Sequence, residues 1–188
     1  KRKESRFGLQ LGKRSNLGQS HQGIFEVMDK QVMKIAFVTT VLNEEENILL
    51  FLNSVLGQTK RPDEVVIVDG GSNDDTVKII KEWILKLRSE KFKKRIKLII
   101  KKGNRSIGRN EAIKKTKSEL IICSDAGCIL HKKWISNIVE PFTSSKVDVV
   151  AGYYRGFAES IFQKSLIPYV LVMPDKIKAD KFLPSARS

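Results

Sequence analysis

Short runs of β-branched and aliphatic residues alternate along most of this chain with longer stretches in which apolar positions recur every three or four residues. Lys34 to Thr40, Val65 to Val68, Ile96 to Ile100, Leu120 to Ser124 and Val147 to Ala151 have the length and composition of buried strands. Between the first two, Ile48, Leu52, Val55 and Leu56 share one helical face, and Gly57 marks its end. Asn43, with Glu46 three residues later, has the form of a capping box opening that helix. In the next helix Val77, Ile80, Ile84 and Leu87 form the inner face, with Lys78, Lys81, Glu82 and Lys86 towards water. A short helix is predicted around Arg109 to Lys117 and another near Trp134 to Val139. Such regular strand-helix alternation predicts an α/β fold, Rossmann-like and three-layered, with a mostly parallel central sheet and right-handed crossovers.

The strand ends carry the chemistry. Ile67 to Thr76 reads Ile-Val-Asp-Gly-Gly-Ser-Asn-Asp-Asp-Thr, so Asp69 closes a buried strand and Gly70-Gly71 turns the chain. Ser72, Asn73 and Asp74 can each cap the helix that follows. Ligands of open α/β sheets lie beyond the carboxyl ends of the strands, and three polar segments should meet there. These are Thr40 to Glu44, Asp69, and Ser124-Asp125-Ala126-Gly127. A carboxylate can accept the N–H of a base such as uracil, and another can meet ribose hydroxyls or a metal on a diphosphate. Arg105 and Arg109, within Gly103 to Asn110, can supply positive charge to phosphate. Taken alone, a capped turn with a solvated Asp69 and a polar helix entry with solvated arginines fit these residues equally well.

The 188 residues suffice for one core, and their formal charge of +14 raises the question of polyanions. Lys91, Lys93, Lys94, Arg95 and Lys97 cluster at a helix-to-strand junction around a single aromatic, Phe92, and so lack the set of interleaved aromatics suited to base stacking. No specific nucleic-acid partner is expected, and an anionic membrane surface fits the charge at least as well. Residues 1 to 32 lack hydrophobic periodicity and precede a Met33 that resembles an original start, so they are expected to form a basic, flexible extension. They also lack the continuous apolar core of a secretory signal. Ser165 to Met173 is too short to span a bilayer and contains Pro168. Cys123 and Cys128 are expected to be free thiols in a reducing compartment, which points to the cytoplasm and its membrane face. No Gly-x-Gly-x-x-Gly, phosphate-loop, Gly-x-Ser-x-Gly or His-Glu-x-x-His pattern is present.

Four ordered elements together resemble the nucleotide-sugar-binding portion of a family 2 glycosyltransferase of the GT-A fold. They are Thr40-Val41-Leu42-Asn43-Glu44-Glu45, Ile67 to Thr76, Gly108-Arg109-Asn110 and Ser124-Asp125-Ala126-Gly127-Cys128. The resemblance covers about residues 34 to 188, and Phe182 to Ser188 is similar to the segment leading into that family's acceptor region. It implies that Thr40, Val41, Leu42 and Asp69 hold the nucleobase and that Asp125 meets the ribose or the metal-diphosphate group. Glu44 and Ser124 would complete the donor set, and Arg109 and Asn110 match an Arg-Asn pair beside it. The implied partners are a UDP- or GDP-type sugar donor and a glycan, lipid or protein acceptor. The implied reaction is an inverting hexosyl transfer.

Two features depart from the pattern. The Asp-x-Asp element that presents magnesium or manganese reads Asp125-Ala126-Gly127, leaving Asp125 as its single metal-binding carboxylate. The Glu-Asp type motif that supplies the base in that family is expected beyond Ser188, so residues 33 to 188 read as a donor domain truncated at its C-terminus, with an incomplete acceptor region. Glu159, Asp175 and Asp180 are the late acids and none sits in that pattern; the last two, beside Lys176, Lys178 and Lys181, read as surface charge. A degenerate, non-catalytic nucleotide-binding module is the main alternative. A sugar-phosphate nucleotidyltransferase would want a glycine-rich loop, and Thr40 to Glu46 has no glycine.

Overall fold

The computed structural model describes residues 10–13, 33–144, 147–156, 158 and 160–170. In chain order the elements are β1 (Gln10–Lys13), β2 (Ile35–Val41), α1 (Ile48–Leu56), β3 (Glu64–Asp69), α2 (Thr76–Lys86) and α3 (Glu90–Lys93). They continue as β4 (Ile96–Ile100), α4 (Arg105–Lys114), β5 (Leu120–Cys123), α5 (Trp134–Ser144), β6 (Val147–Ala151) and α6 (Ile161–Val170). Two compact units result, Ser20–Ile135, and Lys1–Gln19 with Ser136–Ser188.

In the first unit four strands pair in parallel in the order β4-β3-β2-β5. Residues 35–39 and Val41 of β2 are buried, as are Val65 to Asp69 of β3. That two-sided burial explains why both strands read as unbroken apolar runs rather than alternating ones. Phe37 packs against Phe51 at 6.0 Å and edge-on to Trp134 at 6.4 Å, anchoring one face of the sheet. On the other face Val38, Val66 and Val68 enclose Ala112 of α4. Each such aliphatic side chain contributes about 1.5–3 kcal/mol by leaving water.

Thr39 lies inside this core at 3% exposure, and its Oγ1 is the buried side-chain polar atom without a hydrogen-bond partner among the described residues. Replacement by the isosteric valine removes a desolvated hydroxyl, so Thr39→Val should raise unfolding stability by about 1 kcal/mol in chemical denaturation. A loss of stability would show that the hydroxyl has a partner in solution.

Several expected details are corrected. Asn43 and Glu46 do not form a capping box: α1 begins at Ile48 after Asn47, and Asn43 takes a left-handed conformation with φ 52°. The Asn43 side chain instead accepts from Asn73 N–H, so a contact across loops wins over a local cap. Of the expected inner face of α2, Ile80 and the C-cap Leu87 are buried and Val77 and Ile84 half-buried, while Thr76 and Trp83 complete the face. Trp83 earns that place because its Nε1–H reaches Asn53 Oδ1 at 3.0 Å. The helix expected from Arg109 starts at Arg105, capped by the Asn104 side chain, which accepts from Ile107 N–H.

The second unit holds a separate sheet in which β6 pairs antiparallel with β1, so β6 is not a fifth parallel strand. Gln10–Lys13 thus forms a strand within a stretch expected to be flexible. Backbone pairing along an open edge requires an extended segment, not hydrophobic periodicity. The remaining residues of 1–32, the acids Glu159, Asp175 and Asp180, and the Phe182 to Ser188 segment lie outside the described residues.

Candidate functional site

The order β4-β3-β2-β5 fixes where a ligand can enter. The chain builds β2, β3 and β4 in one direction and then returns through α4 to place β5 on the other side of β2, so the sheet reverses between β2 and β5. Crevices at such reversals, beyond the carboxyl ends of the strands, are the binding positions of open α/β sheets. Val41 pairs with Asp69 and Val38 with Cys123. Extending the second register by two residues brings Asp125 level with Thr40. The three polar strand ends expected from the sequence therefore share one edge.

Two loops at this edge are tied together by hydrogen bonds. Asn43 N–H donates to Ser72 Oγ at 2.9 Å, Glu44 N–H to Thr76 Oγ1 at 2.8 Å and Glu45 N–H to Asp74 Oδ2 at 3.2 Å. In the reverse direction Asn73 N–H donates to Asn43 Oδ1 and Asp75 N–H to Glu45 Oε2. Gly71, at φ 101°, makes the turn that allows this without strain. Asp69 is 1% exposed and points into its own loop. Its Oδ2 accepts from Gly71 N–H and Ser72 N–H, and its Oδ1 accepts from Ser72 Oγ–H at 2.5 Å. A carboxylate with about four acceptor positions thus has three filled internally.

The opposite wall comes from α4 and the end of β5. Gly108 faces Thr40 and Val68 so closely that an added Cβ would lie 2.8 Å from Thr40 Cγ2. This close approach carries the first turns of α4 over the sheet edge. Arg109 Nη2 donates to Asp125 Oδ1 at 3.0 Å, and Arg105 Nη1 lies 3.8 Å from Asp125 Oδ2. Glu44 completes the cluster: burial first, then Asp74, raises its carboxyl pKa above the usual value, with Asp125 adding to the shift and Arg105 opposing it.

Thr40 is half-buried, Val41 buried, Leu42 exposed, Ser124 buried and Asn110 exposed on α4. Val41 C=O accepts from Gly70 N–H at 2.9 Å, and Leu42 Cδ1 lies beside Gly70. Ser124 N–H reaches Val38 C=O at 3.4 Å, continuing the β2–β5 pairing. Glu44, Arg109 and Asp125 converge, whereas Asp69 acts on the loop. Gly108 and Ser72 also shape the site, beyond the residues expected from the sequence. A glycine within a polar helical run, disfavoured by about 1 kcal/mol against alanine, was the available signal for the first. A depression of about 320 Å³ beside this edge is bordered by Glu44, Glu45, Glu46 and Asp74, the wrong sign for a diphosphate.

The side chains at this edge do not fit a resident divalent cation. Among the described residues no three His, Cys, Asp or Glu side chains converge as a cation site. Asp125 has a guanidinium at each oxygen, and the residue two positions on is Gly127. Magnesium and manganese favour oxygen ligands, and a carboxylate already neutralised by two guanidinium groups is a weak one.

The family model described as glycosyl transferase family 2 matches residues 36–183. The Staphylococcus aureus protein TarP, a poly(ribitol-phosphate) beta-N-acetylglucosaminyltransferase, is 25% identical over 154 residues, covering 77% of this chain and 45% of that protein. Among solved structures, S. aureus TarS 1–349 in complex with UDP-GlcNAc aligns with a TM-score of 0.51 at 24% identity, over 69% of this chain and 38% of that one. The Pyrobaculum calidifontis mannosyltransferase PcManGT, in complex with GDP-Man and Mn2+, aligns with a TM-score of 0.51 at 21% identity, over 57% and 32%. The fold is that of GT-A glycosyltransferases. The chain spans less than half the length of the curated relatives it matches.

Proposed function

Since this chain belongs to glycosyl transferase family 2, we propose that it provides the donor half of a glycosyltransferase that uses a nucleoside-diphosphate sugar. The observation that carries this reading is the convergence of Glu44, Arg105, Arg109 and Asp125 at the sheet reversal, beside the exposed Leu42 and the Gly70 turn. Structural relatives in complex with UDP-GlcNAc and with GDP-Man support a nucleotide-sugar donor.

In this reading the base rests against Leu42 and the Gly70 turn. Asp69 keeps that turn in shape and has one acceptor position remaining for a base N–H. Asp125 accepts from ribose hydroxyls, and Ser124 fixes its approach. Arg109 and Arg105 face the diphosphate, with Asn110 on the next position of α4. Transfer is a direct displacement: the acceptor oxygen bonds to the anomeric carbon as the bond from that carbon to the diphosphate oxygen breaks. The acceptor proton passes to a carboxylate base from the acceptor-binding part of the protein. The configuration inverts, and fixed cations stabilise charge developing on the leaving diphosphate. A hexose donor fits the family, the donor site lies within Ser20–Ile135, and the acceptor is a glycan, lipid or protein.

Isothermal titration of UDP and of GDP into the full chain tests the reading. One of them should bind with a dissociation constant in the micromolar range, about 8 kcal/mol of binding free energy. No heat and no competition from either nucleotide would refute it.

A further inference from the structure

The two arginines lie where a divalent cation would be expected to meet a diphosphate, and they already hold the Asp125 carboxylate. Arg109 reaches Asp125 at 3.0 Å with its side chain 26% exposed, and Arg105 reaches the other oxygen at 3.8 Å with its side chain 58% exposed. Both arise from the first two turns of α4, whose amino end also carries positive dipole charge. Resting on the donor-site reading above, we propose that this site binds the diphosphate of its nucleotide through Arg105 and Arg109, without a resident divalent cation.

Arginine matches phosphate oxygens with paired N–H donors and stays charged at every working pH. A diphosphate carries more charge than a carboxylate, so it can draw the exposed Arg105 from Asp125 and share Arg109 with it. Asp125 in the resting chain is then a positioning residue: it keeps two flexible cations at the crevice before the nucleotide arrives. As the nucleotide enters, the Asp125 oxygen released by Arg105 becomes an acceptor for a ribose hydroxyl. Asp125 would not be a metal ligand in this arrangement, and a cation approaching it would have to displace a guanidinium from each oxygen. Gly127 supports the same conclusion from the other side. An added Cβ there meets no atom within 4 Å, so a second carboxylate has room but is not present.

The test is calorimetric titration of the full chain with UDP and GDP, in EDTA and in manganese chloride. Wild type should bind its preferred nucleotide with affinities within about threefold of each other in the two buffers. Arg109→Met should weaken binding about tenfold or more, the loss expected for a charge-assisted contact. Arg105→Met, at a mostly exposed position, should also weaken it and serves as the measure if Arg109→Met does not fold. Gly127→Asp should create a manganese requirement, with affinity about tenfold higher in manganese than in EDTA. Binding by wild type that strengthens tenfold or more with manganese would overturn the inference and leave the donor-site reading standing. Full affinity in a folded Arg109→Met or Arg105→Met chain would also overturn it, as would a Gly127→Asp chain indifferent to manganese. Absence of binding in both buffers would instead refute the donor-site reading, and the inference with it.

Discussion

Asp69→Ala should lower unfolding stability by about 2–4 kcal/mol and eliminate measurable nucleotide binding. The side chain accepts from Gly71 N–H, Ser72 N–H and Ser72 Oγ–H at a position only 1% exposed. Truncation leaves these donors facing a dry space, and an unmet buried donor costs about 1–3 kcal/mol. The damage spreads because Ser72 Oγ also accepts from Asn43 N–H, which joins the Gly70 turn to the loop after β2. Asp69→Asn should recover part of the loss, since its one carbonyl oxygen can accept where an amide nitrogen cannot. Urea denaturation of the three proteins provides the measurement. A change below about 0.5 kcal/mol for Asp69→Ala, the range of ordinary surface substitutions, would show that the loop does not depend on this carboxylate.

Gly108→Ala should destabilise the chain by about 1–3 kcal/mol, although alanine in a helix ordinarily gains about 1 kcal/mol over glycine. The new Cβ would lie 2.8 Å from Thr40 Cγ2, closer than carbon atoms can pack. Relief requires α4 to lift from β2, and Arg105 and Arg109 move with it. Nucleotide affinity should therefore fall together with stability. The clash involves a single methyl group, so it can be removed separately: Thr40→Ser keeps the hydroxyl and deletes Cγ2. In a double-mutant cycle the pair Thr40→Ser/Gly108→Ala should recover at least half of the stability lost by Gly108→Ala. A Gly108→Ala chain more stable than wild type would show that the helix stands further from the sheet.

The central strands were legible because they are buried on both faces, so Val65 to Val68 needs no partner information to be recognised. Ile96 to Ile100 is a half-buried edge strand, and its run of β-favouring residues alone gave the expected bounds. Helix starts were less legible. Asn43 and Glu46 satisfy a local capping pattern, but Asn43 and the neighbouring Glu45 bond across space instead, accepting from Asn73 N–H and Asp75 N–H on a loop 30 residues away. The same holds for Asp69: its position at a strand end was readable, while its three internal hydrogen bonds depend on how Gly71 and Ser72 turn. Arg109 and Asp125 could be named separately from sequence, but their contact spans 16 residues and a change of strand order. The pairing of Gln10–Lys13 with β6 had no signal, because backbone pairing leaves no trace in side-chain periodicity.

The central claim is that the nucleotide occupies the sheet reversal between β2 and β5, against α4. Titrating the preferred nucleotide, UDP or GDP, into uniformly nitrogen-15 labelled protein and following backbone amide shifts tests it most directly. The largest shifts should fall on Leu42, Gly70, residues 103–109 and residues 124–127, which surround that crevice. Shifts concentrated instead on the basic segment 91–97, with Arg109 and Asp125 unmoved, would contradict the account.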